Sequence, residues 1–440
     1  MEGAAKFGAG AAASFLTPLG IFALITALIL ILVLPRDKLL LVILCFFLLI
    51  PGGLQFYIGG VHFYFSRIIV LVSLIKVIST REAGKGINFT GGWNKIDRSF
   101  LTYMVLRVIA FSILYKNSSA IINQVALFLD TVGAYFIWRT LIVDTGDIER
   151  VVKCLALVFI VFAITMIVES RKMFNVFGYI NGFFIPELRN GSPRASASFA
   201  HSLTAGITGA GLFPVFFFLW FKGRQKIIAV LGVVAAAIMV VATHTSGSLL
   251  AYIAGIGAML LWPLRNSMRL LRWGLVVVLV LLHFAMKAPV WFLIAKIDLT
   301  GSSSSYHRAN LIDQFIRHFW DWWLIGTPDM HNWGWFLWDV QDQYVSVGVN
   351  GGLASLIFFI AMIVHGFSYI GKSIRNTDNI QEQHSIWALG AALFAYVVGL
   401  IGVNLFDQSM TLYLLLFAII STAFSISKLP KVEEDLYIAS

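Results

Sequence analysis

The chain has 440 residues, of which 59% are apolar and only 12% charged, against about 45–50% and about 25% in ordinary soluble domains. That balance excludes a soluble globular enzyme, and so many apolar residues exclude a disordered chain. The formal net charge of +10 comes from Lys and Arg scattered over many short segments, so no nucleic-acid partner is expected.

Apolar runs fall at about 16–34, 39–58, 64–80, 99–115, 119–142, 151–168, 200–221, 227–244, 247–264, 273–294, 344–371, 385–405 and 409–427. A membrane-crossing helix takes about 20 apolar residues. Continuous runs of this length argue against the shorter, alternating strands of a barrel. The expected fold is all-α: a polytopic transmembrane helical bundle of about 12–13 spans, a single integral-membrane domain over 1–440. The count turns on the second run, which Pro51-Gly52-Gly53 interrupts. Thirteen crossings put the N-terminus outside, and one fewer puts it inside. The first run is long enough to span and has no small-residue cleavage site after it, so no cleavable signal is expected. Cys45 and Cys154 lie inside apolar runs and suggest neither a metal set nor a disulfide framework.

The connecting segments alternate in charge. One set holds Arg36/Lys38, Lys76/Arg81/Lys85/Lys95/Arg98, Arg150/Lys153, Lys222/Arg224/Lys226, Arg265/Arg269/Arg272, Lys372/Arg375 and Lys428/Lys431. The positive-inside rule assigns this set, and with it the C-terminus, to the cytoplasm. Two long loops, 170–200 and 296–343, then face outward. Both carry arginines against the bias: Arg189 and Arg194 in the first, Arg308 and Arg317 in the second. They suit either an anion site at the outer interface or a solvated cap whose arginines pair with Glu187, Asp313 and Asp321.

In the first loop Arg189, Arg194 and His201 lie in a Gly/Pro/Ser-rich stretch where the backbone can approach a ligand closely. The guanidinium fork offers phosphate two parallel hydrogen bonds. His201, at the mouth of the next helix, could cap the site or bind glycan. The second loop opens Gly301-Ser-Ser-Ser-Ser-Tyr-His-Arg308. Ser305 reads as an N-cap and an amphipathic helix is expected to about Trp323. Arg308 would lie in its first turn, where the helix dipole also favours an anion. His307 could titrate near neutral pH. The aromatic-rich remainder reads as an interfacial belt. It closes with Asp339, Gln341, Asp342 and Tyr344, whose acidic and amide groups could take an acceptor proton or bind sugar hydroxyls. Asn404 and Asp407 sit in the last outer turn, where an acid is functional if it faces the bundle. Arg67, Arg107 and Arg139 are expected to snorkel or pair with Asp130. Walker, dinucleotide, zinc-protease and nucleophile-elbow motifs are absent from the sequence, so no metal and no soluble cofactor is expected.

Two motifs carry a family resemblance. One is Arg-x-Gly-x-x-Arg-x-x-x-x-Phe-x-His at Arg189, Gly191, Arg194, Phe199 and His201. The other is the long loop with its early Arg308, the turn Leu324–Gly326, then Asp339, Tyr344, Gly351 and Gly352. With the span layout, they resemble the O-antigen ligase and O-antigen polymerase superfamily of bacterial inner-membrane proteins. The resemblance implies a metal-independent glycosyltransferase acting at the periplasmic face. Its donor would be a polyprenyl diphosphate-linked oligosaccharide and its acceptor a glycan or lipid A-core, with membrane lipid around it. Arg194, with Arg189, and Arg308 would hold the diphosphate. Ligases of the family commonly carry His-Asn where this chain has Gln341-Asp342. Asp342, His307 or Asp339 is left as the base, and the reading leans from ligase toward polymerase. A transporter or flippase of an anionic lipid or solute stays open as the reading from another class. Its path would run along Arg67, Arg107, Asp130, Arg139 and Lys287.

Overall fold

The computed structural model describes residues 14–428 apart from 60, 80–88, 190, 224, 297–303, 335–336 and 338. Arg81, Lys85, Arg224, Lys431, the Gly301–Ser303 opening of the second loop, and Trp335, Phe336 and Trp338 of its aromatic stretch lie outside the described residues.

The helices run α1 (Pro18–Val33), α2 (Arg36–Leu49), α3 (Phe65–Ser79), α4 (Lys95–Tyr115), α5 (Ser118–Leu141), α6 (Thr145–Lys172), α7 (Gly178–Asn181), α8 (Ser202–Leu212), α9 (Phe217–Phe221), α10 (Lys226–Ala242), α11 (Ser246–Leu260), α12 (Met268–Ala285), α13 (Leu293–Lys296), α14 (Ser304–Arg317), α15 (Phe319–Trp322), α16 (Gln343–Asn376), α17 (Ile380–Gly399) and α18 (Asp407–Ile426). Two small antiparallel hairpins, β1 (Gln55–Ile58) with β2 (Val61–Tyr64) and β3 (Glu187–Arg189) with β4 (Ser192–Arg194), complete the fold. Among the described residues, seven helical stretches are long and apolar enough to cross a membrane, and four shorter helices are apolar. The protein is an all-α polytopic membrane bundle.

Local chemistry sets the boundaries. Thr17 caps α1, accepting from the Gly20 N–H at 3.0 Å, and Pro18 supplies the first helical residue, where its missing N–H costs nothing. Asn94 and Asp97 close a capping box on α4. The second apolar run does not continue to residue 58. Pro51 cannot extend α2, Gly53 turns the chain at φ 92°, and residues 55–58 and 61–64 form β1 and β2. The run at 200–221 is broken by a 3-10 turn over Phe213–Phe216 that contains Pro214.

Counting α8 and α9 together, each of the thirteen apolar runs contains a helix among the described residues. Phe15 pairs with Gln55 ahead of α1, so the first described residues share one end of the bundle with both long loops. The basic segments gather at the other end. There Arg36 donates to the Thr140 carbonyl at 2.7 Å and Lys222 pairs with Glu382 at 3.4 Å.

The intramembrane arginines pair differently from expectation. Only Arg67 takes Asp130, at 2.8 Å. Arg139 meets Asp97 at 2.9 Å with both side chains fully buried, and Asp97 also accepts from Tyr135 Oη at 2.5 Å. Arg107 donates to Tyr103 Oη at 3.2 Å.

Without a hydrophobic drive between helices in lipid, close packing relies on small residues. A Cβ at Gly209 of α8 would stand 3.1 Å from the Ala236 carbonyl of α10, and one at Gly366 of α16 would stand 2.9 Å from Leu393 of α17. Between α2 and α6, Cys45 Sγ and Cys154 Sγ lie 3.3 Å apart. Copper-phenanthroline oxidation is expected to join them within one chain. Peptide mapping would detect the bond, and Cys45→Ser would abolish it. Failure of wild-type protein to cross-link would contradict this helix register.

Candidate functional site

At the loop end the first long loop is built on a residue that motif reading passed over. Glu169, fully buried near the end of α6, accepts from the Ser196 N–H at 3.1 Å, the Ala197 N–H at 2.9 Å and Asn175 Nδ2 at 3.2 Å. Asn175 also donates to the Ala197 carbonyl at 3.0 Å. These bonds hold Ala197 at φ 51°, left-handed backbone that a non-glycine residue adopts only under constraint. Ala195 donates to the Ala242 carbonyl at 3.1 Å, laying the segment along the end of α10. Only the run Val168-Glu-Ser-Arg171 marks Glu169 in sequence, and there it reads as the polar tail of a span. Glu169→Gln presents an amide where two backbone N–H groups need acceptors. A buried unsatisfied donor costs about 1–3 kcal/mol. The variant is therefore expected to melt earlier, measured by thermal unfolding in detergent.

Arg194 ends β4, its side chain 5% exposed. Its Nη1 meets Glu187 at 3.0 Å, the cross-strand partner in the hairpin, and its Nε lies 3.4 Å from the Thr243 carbonyl. The buried Nη2 has no hydrogen-bond partner among the described residues. Burial lowers the Arg194 pKa from its usual range, with Glu187 opposing and Arg189 adding to the shift. Glu187 is half exposed, and its pairing with Arg194 is the one the cap reading named. Arg189 is half-buried across from Ser192, and the hairpin turns at Gly191, φ 75°.

The second loop arrives from the other side. α14 is described from Ser304, so Ser305 lies inside its first turn rather than at a cap, and Arg308 sits one turn in. The amphipathic stretch stops at Arg317, and α15 resumes at Phe319. Arg317 pairs with Asp313 at 2.7 Å, as the cap reading had it. The loop is locked to α16 where Gly352, φ 72°, kinks that helix. A Cβ there would stand 2.5 Å from the Leu324 carbonyl, and the Leu353 N–H donates to the Trp323 carbonyl at 2.7 Å. Gly348 lies under Phe315 and Trp322, whose rings stack at 3.9 Å. These glycines join loop to helix more than helix to helix.

Arg308, 6% exposed, lies between two glycines. A Cβ at Gly402 would be 2.8 Å from its Nε, and one at Gly247 would be 3.4 Å from its Nη2. Both arginines therefore reach the Thr243–Gly247 segment, Arg194 at one end and Arg308 at the other. Between them His244 is exposed at φ 48°, another residue the motifs did not mark. Asp342 caps α16, accepting from the Val345 N–H at 2.9 Å. Burial pushes its carboxyl up to about 7, while the Val345 and Tyr344 N–H groups and the charge of Arg308 favour ionisation. Gln343 Oε1 accepts from the Leu405 N–H at 2.7 Å, fixing the segment that carries Gly402.

That segment continues to His201 and Asp407. His201 is exposed, its ring 5.7 Å from Phe406. It is the N-cap residue of α8, but its side chain makes no capping bond. Asp407 opens α18 at φ 45°, and its Oδ2 lies 3.4 Å from where a Cβ of Gly52 would stand. The remaining candidates sit apart from the arginine pair. Asp339 is exposed and accepts from Gln341 Nε2 at 2.8 Å. His307 Nε2 is 3.4 Å from the Asp339 carbonyl. Tyr344 donates to the Val397 carbonyl at 3.0 Å, which engages its hydroxyl within the bundle.

Comparison with protein-family models finds no match to the chain, and comparison with curated proteins finds none either.

Proposed function

We propose that this membrane protein is a metal-independent glycosyltransferase. It joins a polyprenyl diphosphate-linked glycan to an acceptor glycan, as a polysaccharide polymerase in the bacterial inner membrane. The loop end faces the periplasm and the basic end the cytoplasm, as the positive-inside rule requires. The observation that carries this reading is the meeting of Arg194 and Arg308, from separate loops, on the Thr243–Gly247 segment. Two guanidinium groups brought to the two ends of one five-residue segment suit the two phosphates of a diphosphate.

In the transfer the acceptor hydroxyl attacks the anomeric carbon of the donor. The new C–O bond forms as the bond to the diphosphate breaks, and the polyprenyl diphosphate leaves with the electron pair. Arg194 and Arg308 neutralise the charge that grows on it, a contribution aimed at the transition state. Asp342, beside Arg308, takes the hydroxyl proton. Lipid A-core as acceptor would make the same chemistry a ligase. Transport is less well supported: Arg67, Arg107, Asp130 and Arg139 are engaged in separate contacts with different partners, and Lys287 is exposed beyond α12. Purified protein incubated with polyprenyl diphosphate-linked oligosaccharide tests the reading. A ladder on a gel supports polymerase, a single product on lipid A-core supports ligase, and no product with either acceptor rejects the transferase.

A further inference from the structure

At the opposite end of the bundle the start of α4 and the last turns of α16 and α18 enclose a cavity of about 320 Å³. A single water needs about 10–15 Å³ on this measure, so this is room for a polar headgroup rather than a lone ion. Its floor is aromatic. Tyr369 and Phe424 stack at 3.9 Å and 13°, both buried, and the Tyr369 hydroxyl accepts from the Lys95 N–H at 2.8 Å. Its rim is cationic, with Lys95, Arg98 and Lys428 in the lining and Trp93 beside them. Lys428 Nζ lies 4.2 Å from the Phe424 ring centroid, and Lys372 Nζ lies 6.0 Å from that of Tyr369. None of these four cations is in an ion pair among the described residues. The carboxylate nearest in sequence, Asp97, is fully buried against Arg139.

Orientation bias alone accounts for exposed cations at this end. It does not account for three of them around one cavity with a stacked aromatic floor at the depth where spans end. We propose that this cavity binds the phosphate headgroup of an anionic membrane lipid. The cations take the phosphate oxygens, and the rings of Trp93, Tyr369 and Phe424 pack against the glycerol and the first methylenes. Basic pockets between spans at this face suit such headgroups, and each cation contributes roughly fivefold in affinity. The site lies at the end of the bundle away from the arginines, and the proposal stands whether or not the transferase reading does.

Native mass spectrometry of the full chain tests it, with the detergent doped in turn with phosphatidylglycerol, phosphatidylcholine and glycerol 3-phosphate. One phosphatidylglycerol is expected to be retained in preference to phosphatidylcholine. The triple variant Lys95→Gln, Arg98→Gln, Lys428→Gln is expected to weaken retention on the order of a hundredfold. Arg265→Gln, Arg269→Gln, Arg272→Gln removes the same charge from another basic segment that does not line the cavity and is expected to leave retention within about twofold. All three substituted rim side chains are exposed, so folding should persist. Lys428→Glu alone gives a second variant, with at least a tenfold loss expected. Equal losses from the two triple variants, equal retention of the two lipids, or unchanged binding in Lys428→Glu would overturn the proposal. Displacement by glycerol 3-phosphate as effective as that by the lipid would assign the cavity to a free phosphate ester and overturn the lipid source.

Discussion

Arg308→Ala is expected to reduce transfer from a polyprenyl diphosphate donor by about 10³-fold or more while the protein still inserts and folds. Removing one donor from a charge-stabilising site costs about 10²–10³, and a cation placed on a transferring phosphoryl group has contributed about 10³–10⁵ in other enzymes. Arg308 meets the conditions for the upper part of that range. It is nearly buried, so its field is weakly screened. Its guanidinium lies against Gly402 and Gly247 with no side chain between, and α14 is held through the Gly352 kink. Arg308→Lys keeps the charge and loses the planar fork, so it should recover part of the rate. Gly402→Ala keeps the arginine but sets a methyl group 2.8 Å from its Nε, so the side chain must shift, and this should also slow transfer. Rates come from single-turnover product gels, and folding from gel filtration. A folded Arg308→Ala protein with wild-type turnover would remove the diphosphate grip from the mechanism.

The bundle was legible because lipid imposes a simple rule. Every backbone polar group in the hydrocarbon must be satisfied within its own helix, so the long apolar runs become helices. The exceptions carried local signals. The aromatic and β-branched run around Gly59-Gly60 is a hairpin pattern that hydropathy alone absorbed into a span. Arg194 and Arg308 were visible because they stand in long loops of the wrong charge. Glu187, which Arg194 meets at 3.0 Å, was visible too, but their other neighbours were not. Thr243, Gly247 and Gly402 come from turns with no chemistry in their own sequence, and Glu169 acts through backbone N–H groups, which no motif records. Arg139 could have chosen Asp130 or Asp97 by type. Only the packing of α4 against α5 brings it to Asp97.

Asp342 is where electrostatics and chemistry make opposite, separable predictions. An ordinary aspartate near 3.8 is fully ionised at neutral pH, whereas burial pushes this carboxyl up to about 7, close to the operating range of a general base. As proton acceptor it must be ionised, so turnover should rise with pH through about 7 and level off above. Stability should move the other way. The unfolded carboxyl ionises first, so the contribution of Asp342 is full below about pH 4 and is lost as pH rises through about 7. Asp342→Asn separates these effects from capping, because Asn serves an N-cap about as well as Asp, and the Val345 bond can persist. It is expected to lower turnover by about 10²–10⁴-fold, to flatten the pH profile, and to leave the protein no less stable at pH 7.5. Arg308→Lys should not flatten that profile, since it keeps the cation near the carboxyl. If Asp342→Asn instead retains turnover and its pH dependence, the residue is a helix cap alone. The proton then goes to His307 or Asp339, which touch each other through the Asp339 carbonyl and open to solvent more than Asp342 does.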